Sequence, residues 1–374
     1  MVRTALADST DLRPGVRPKV RYPTKIGFYA DVRQRVDAYL LSTRGEGRDA
    51  GRMYTKTAIL FFWLIGSYTL LTFFASTWWQ MWPLAISLGL AVAGVGFNIQ
   101  HDGNHGAYSN HSLINRLMAL TLDMVGGSSY VWHHKHNVLH HTYTNVTGLD
   151  DDIEKHPWAR LSPHQPRSSW NRFQHFYMWV LYGLSYFKWA FLDDFRCVIE
   201  GKISGNPIPR PSPWNLSVLI LGKAFFFSWV FVVPMLFHPW WGVLGFYLAV
   251  SFMGSVIMSI VFQLAHCVGE AEFPVPAEGT HSMAKEWAAH QVESSVDFSR
   301  SNRFLGWYLG GLNFQIEHHL FPHVSHVHYA AISRLVEETA QKHSVRYFAH
   351  PTLFKALASH ARWLRRMGTA PLLN

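Results

Sequence analysis

The chain has 374 residues, of which 15% are charged and 15% aromatic, with 16 Trp and 26 Phe. A soluble domain carries about a quarter charged residues, so this composition excludes an ordinary soluble protein and favours one membrane-embedded unit. The formal charge of +9 comes from 33 Lys+Arg against 24 Asp+Glu; it reads as basic residues flanking spans and facing anionic lipid, with no nucleic-acid partner.

Residues 1–56 read as a cytosolic arm with a helical patch at Tyr29–Leu41 and a linker at Gly45–Gly51, and they contain no apolar signal region. Residues 57–345 are expected to form the membrane unit and 346–374 a cytosolic tail. Ala58–Trp79 and Leu84–Ile99 are apolar enough to form a first helical hairpin, joined by the Trp-rich turn Ser76–Pro83. A mixed section follows from Gln100 to Pro213, holding most of the acids and many His; Leu117–Val125 and Phe176–Phe191 read there as helices lying at the interface. Trp214–Phe237 and Trp241–Ala265 form a second hairpin around His238-Pro239-Trp240. Neither turn carries Lys or Arg, so the arm, the central section and the tail are expected to be cytoplasmic and both turns outside. Lys223, inside the third span, is expected to snorkel to the interface or to meet an acidic headgroup. Cys197 and Cys267 are too few for a disulfide framework and read as reduced thiols.

The 23 His fall into clusters. His101-Asp102-Gly103-Asn104-His105 places two imidazoles at i and i+4, on one face if the second span continues as helix. His136 and His140 repeat that spacing, and His141 is rotated about 100° from His140 around a helix, so adjacent His are free to face different metals. Gln315-Ile316-Glu317-His318-His319 repeats the paired arrangement, and Gln315 offers an amide carbonyl as a weak ligand or as a partner of a ligand. His266 closes the fourth span, either completing the set or as a solvated span-end residue. His133 and His134 read as interfacial more than as ligands.

Roughly eight imidazoles exceed what one ion takes and suit two. Two metals beside lipid suggest O2 chemistry, because cleaving an unactivated C–H bond needs an oxidant that side chains lack. Asp102, Asp150, Asp151, Asp152, Glu154, Asp297 and Glu317 are candidates to accept the second ring N–H of ligating His, although Asp150–Asp152 also reads as a solvated loop. His323, His326 and His328 read as a cytoplasmic surface, and His111, His164 and His175 as ordinary loop residues. His290 and Asn313 carry no firm role. Trp132, Tyr130 and Phe97 are candidate walls of an acyl tunnel, with ordinary aromatic packing as the plainer reading.

HDGNH at 101–105, HNVLHH at 136–141 and QIEHH at 315–319, with HTYTN at 141–145 and HHLFPH at 318–323, resemble the histidine boxes of the membrane fatty acid desaturases. The resemblance covers roughly residues 55–345 and includes the order of hairpin, two boxes, hairpin, third box. It implies an all-α fold of four transmembrane helices in two hairpins, with a cytoplasmic helical cap around a diiron site. It makes His101, His105, His136, His140, His141, His318 and His319 iron ligands, with His266 as an additional one. Gln315, standing where many members have His, is similar to the front-end subgroup. The first 56 residues are too short for a fused cytochrome b5 domain and no HPGG haem motif is present, so the chain resembles bacterial members of the cytoplasmic membrane.

The implied function is O2-dependent desaturation of a long acyl chain, carried as acyl-CoA, on acyl-carrier protein or in a phospholipid. Two Fe ions are the implied cofactor, and electrons come from a separate ferredoxin or cytochrome b5-like donor. Hydroxylation or acetylenation on the same scaffold is the alternative, and a zinc-dependent membrane lipid hydrolase the remote one.

Overall fold

The computed structural model describes residues 20–24, 27–43, 48 and 50–371. Most of the expected linker Gly45–Gly51 lies outside them, as do residues 1–19 of the arm. We number the principal helices α1 (Phe28–Ser42), α2 (Gly51–Phe74), α3 (Trp78–His105), α4 (Ser112–Ala119), α5 (Gln174–Lys188), α6 (Pro213–Met235), α7 (Trp240–His266), α8 (Trp287–Glu293), α9 (Gln315–Leu320), α10 (Tyr329–Lys342) and α11 (Leu353–Thr369).

Four of these, α2, α3, α6 and α7, are long and apolar enough to cross a membrane. The protein is an all-α membrane protein; among the described residues its only strands are two short pairs, Lys202–Ile203 with Asn206–Pro207 and Asp297–Phe298 with Ala349–His350. Helix α2 starts ahead of Ala58 and so contains Arg52 and Lys56. Helix α3 does not stop at Ile99 but continues through the first His cluster to His105. Gly106 ends it in the left-handed conformation, φ 68°.

The hairpin helices interlock through small and polar residues. The Trp63 indole donates to Ser87 Oγ at 2.8 Å, and Gly89 lets α3 approach so closely that a Cβ there would lie 3.0 Å from the Val250 carbonyl of α7. Ser212 accepts from the Asn215 N–H and Pro213 occupies the first turn, which together start α6. Helix α5, expected at the interface, packs along α7: the Tyr186 N–H donates to Ser255 Oγ at 2.9 Å, while Phe176, Val180 and Leu184 stay exposed.

Lys223 does not snorkel. Its ammonium is buried, ion-paired with Asp194 at 2.7 Å and bonded to the Gly126 and Ala190 carbonyls at 2.6 and 2.8 Å. All three of its donors are thereby used within the fold, which leaves none for a headgroup. Cys197 is half-buried and Cys267 buried, both free thiols.

Beyond the spans, α1 lays Phe28, Val32 and Val36 against Ile332, Val336 and Ala340 of α10 and Ile316 and Leu320 of α9, forming the core of a helical cap. Helix α11 is anchored to the body by Arg160, whose buried guanidinium donates to the carbonyls of Met367 and Ala370 at the helix end.

Candidate metal centre

Local backbone geometry aims the imidazoles. A π-helical turn, Gly96–Gln100, precedes the first cluster, and the ordinary helical turn His101–His105 then stacks two His at i, i+4 with ring centroids 4.8 Å apart. The second cluster is itself a π-helix, His133–His140. Widened turns of this kind re-aim side chains at functional sites. His136 and His140 stay neighbours, with ring centroids 5.2 Å apart, but each also joins a different set of His. His136 joins His101, His105 and His318, and His140 joins His266 and His319. Within each set the candidate ligand atoms lie within 4.8 Å of one another, and all seven residues are buried.

The third cluster splits between the sets, His318 in one and His319 in the other, as adjacent positions on a helix allow. His141 stands between the sets, its ring 4.7 Å from His105, 4.6 Å from His318 and 4.3 Å from His319. Gln315 reaches the second set, its amide 3.2 Å from His266 Nε2. Asp152 lies close enough to His136 and His140 to form a further possible grouping with them.

The backs of the rings explain which nitrogens face inward. His140 Nδ1 lies 3.1 Å from both oxygens of Asp150, His319 Nδ1 2.8 Å from Gln291 Oε1, His266 Nδ1 3.1 Å from the Ser294 carbonyl and His318 Nδ1 3.2 Å from the Tyr329 hydroxyl. Each partner is able to accept, which fixes the proton on Nδ1 and leaves the Nε2 lone pair pointing into the site. Nε2 of His101, His105, His140, His318 and His319 is buried with no hydrogen-bond partner among the described residues. Orphaned buried acceptors are costly and rare, and this many imidazole nitrogens converging in two sets fit a pair of transition-metal ions.

The electrostatics favour ligation by four of these residues and oppose it at His140. Burial, then neighbouring imidazoles, push His136, His141, His318 and His319 well below the usual His range, keeping them neutral and able to ligate. Burial also opposes charge on His140, but the Asp150 carboxylate outweighs it and raises that residue's pKa.

The other candidate residues divide. Asp150 is fully buried, not solvated, and backs His140. Asp151 and Asp152 pair with Lys135 at 2.8 and 3.0 Å. Glu154 accepts from the Gly148 N–H, and Asp297 and Glu317 share the Tyr347 hydroxyl. Asp102 accepts from His326 Nδ1 at 2.8 Å, and Lys56 donates to His326 Nε2 at 2.8 Å, so His326 is an interior residue. His328 is buried too, whereas His323 is exposed. His290 is buried beside Tyr22, and Asn313 donates to the Phe298 carbonyl.

Gln291, Ser294 and Tyr329 went unnoticed in the sequence. They touch His far away in the chain, and nothing in local spacing marks them.

An apolar cavity of about 330 Å³ lies between the spans. Tyr68, Leu88, Phe226, Trp229, Tyr247 and Met258 line it. Trp132, Tyr130 and Phe97 do not line it. Trp132 stacks on His136 with ring centroids 4.3 Å apart, Phe97 packs on Tyr308, and the Tyr130 hydroxyl donates to the Pro209 carbonyl.

A family model described as fatty acid desaturase matches residues 76–351. The chain is similar to the sn-1 linoleoyl-lipid 6-desaturase of Arthrospira platensis, with 38% identity over 94% of this chain and 96% of that relative. It is similar to the protein of the same description in Synechocystis sp. (strain ATCC 27184 / PCC 6803 / Kazusa), with 35% identity over 94% of this chain and 98% of the relative. The Acyl-lipid (8-3)-desaturase of Physcomitrium patens is 37% identical over 91% of this chain and 72% of its own length.

Proposed function

The chain belongs to the fatty acid desaturase family, and on that premise we propose that it desaturates an already unsaturated acyl chain esterified in a membrane lipid, at a diiron centre. The observation that carries this reading is the convergence of two sets of buried imidazoles, with Nε2 of His101, His105, His140, His318 and His319 unpartnered. His101, His105, His136 and His318 hold one ion and His140, His266 and His319 the other, with His141 between them and Gln315 as a weak ligand beside His266. Bound there, iron supplies the redox chemistry that reduces O2 and cleaves an unactivated C–H bond.

The chain's own groups position and exclude. Asp150, Gln291, Ser294 and Tyr329 hold the rings in the Nδ1–H tautomer. Burial of all seven site His keeps water from the reacting carbon. The apolar cavity between the spans suits an acyl tail.

The substrate loses two hydrogens as a double bond forms. O2 becomes two waters, with two electrons and two protons supplied from outside. The electrons come from a separate ferredoxin or cytochrome b5-like protein.

An acyl lipid is favoured over acyl-CoA or acyl-carrier protein by the names of the relatives. Gln315 in the third cluster favours a new double bond on the carboxyl side of an existing one. Residues 57–345 constitute the catalytic membrane unit. The absence of Lys and Arg in both hairpin turns supports termini and metal centre on the cytoplasmic side of the membrane.

The test is lipid profiling of an expressing host. Acyl chains lacking two hydrogens should appear with the wild type and vanish with His140→Ala. Products that gain an oxygen instead would replace this reading with hydroxylation.

A further inference from the structure

Two lysines in the long apolar helices are buried among the described residues, Lys56 in α2 and Lys223 in α6. They are partnered differently. Lys223 meets the Asp194 carboxylate directly. Lys56 meets an imidazole: its Nζ is 2.8 Å from His326 Nε2, and it lies 5.2 Å from the centre of the Trp307 ring. An ionisable side chain is costly in an apolar helix, and the partner that holds it there points to what it serves.

From His326 the contacts run on to the metal centre. His326 Nδ1 is 2.8 Å from Asp102 Oδ2. The other carboxylate oxygen, Oδ1, faces His101 Nδ1 at 3.8 Å. His101 belongs to the first set, and its Nε2 is one of the unpartnered nitrogens.

Chemistry fixes the direction of each bond. A carboxylate only accepts, so the proton of the His326 ring sits on Nδ1. Burial opposes charge on that ring, so Nε2 carries a lone pair and Lys56 is its donor. Without this donor the ring is free to take the other tautomer, whose Nδ1 cannot donate to Asp102.

The next residue of α2 holds the far end of the first cluster. Thr57 Oγ1 lies 2.6 Å from the hydroxyl of Tyr108, a buried residue just past the Gly106 that ends α3. The start of α2 thus meets the first cluster at two points, Asp102 through His326 and the chain exit through Tyr108. His140, His266 and His319 of the second set are instead backed by Asp150, Ser294 and Gln291, which lie outside α2.

We propose that Lys56 is a positioning residue for the first metal set, acting through His326 to hold Asp102 against His101. This rests on the two-metal reading above.

Titrating cobalt(II) into the full-length apo protein in lipid nanodiscs, followed by visible absorption, tests it. The wild type should bind two ions, and the binding step abolished in His105→Ala is that of the first set. Lys56→Met should weaken this step about tenfold and leave the other at the wild-type affinity. Lys56→Arg keeps a donor and should retain most of the first-step affinity. Lys56→Met combined with His326→Leu leaves no stranded imidazole nitrogen; it should show the same selective loss, and it carries the test if the single variant does not fold. An unchanged first step overturns the proposal. So does an equal loss at both steps, which would mean a general structural role, and so does Lys56→Arg binding as weakly as Lys56→Met. Wild-type protein that takes up fewer than two ions removes instead the two-metal reading itself.

Discussion

His140 and Asp150 form a buried imidazole–carboxylate pair, with Nδ1 3.1 Å from both carboxylate oxygens and Nε2 unpartnered on the inward side. Asp150 also accepts the Asn145 N–H at 2.9 Å, so the same carboxylate fixes both the ring and the turn that follows it. Asp150→Ala should therefore release the ring and lower iron affinity about 10- to 100-fold. Titrating iron into the apo protein measures this directly, and affinity equal to the wild type would mean that Asp150 does not orient His140.

Lys223 and Asp194 make a buried ion pair that ties α6 to the segment after α5. Removing one partner strands a buried charge and should cost about 3–5 kcal/mol. Lys223→Leu is expected to be strongly destabilised in thermal unfolding, and Lys223→Leu combined with Asp194→Leu should recover most of the loss. Equal instability in the single and double variants would contradict this.

Asp123 sits close to this pair, and burial pushes its carboxyl up from the ordinary value of 3.8 to about 7. Between those values the unfolded chain releases this proton and the folded chain keeps it. Its contribution to stability is therefore lost as pH rises through that window. Asp123→Asn removes the dependence, so the variant should gain on the wild type with rising pH, by roughly 1 to 4 kcal/mol at pH 8, and not at pH 4. Unfolding midpoints at the two pH values decide it.

Gly310 carries φ 60°, and a Cβ there would lie 2.3 Å from the Phe97 carbonyl oxygen. The close approach brings the loop before α9 onto α3. Gly310→Ala should destabilise by more than about 1 kcal/mol and lower iron retention as well, because His318 and His319 follow that loop. Retention at the wild-type level would separate the loop from the site.

Much of this site can be read in the sequence, because ligation needs particular side chains at short, regular spacing. The His101–His105 pair and the adjacent His318–His319 follow from helical geometry. The division of His136 from His140 does not, since it depends on a π-helical turn that no residue pattern announces. The interior placement of His326 is equally hidden: its partners Lys56 and Asp102 come from two other helices. Lys223 reads as a snorkelling residue only until Asp194 is seen beside it. The four apolar helices stand out because a bilayer demands length and composition, whereas the packing of α5 along α7 depends on contacts such as Gly183 against Phe252.

The central claim is that two iron ions sit among these imidazoles. Anomalous scattering measured on either side of the iron absorption edge, from crystals of iron-loaded protein, tests it most directly. Two iron peaks are expected, one enclosed by His101, His105, His136 and His318 and the other by His140, His266 and His319. A single peak, a zinc signal, or iron bound away from these rings would contradict the account.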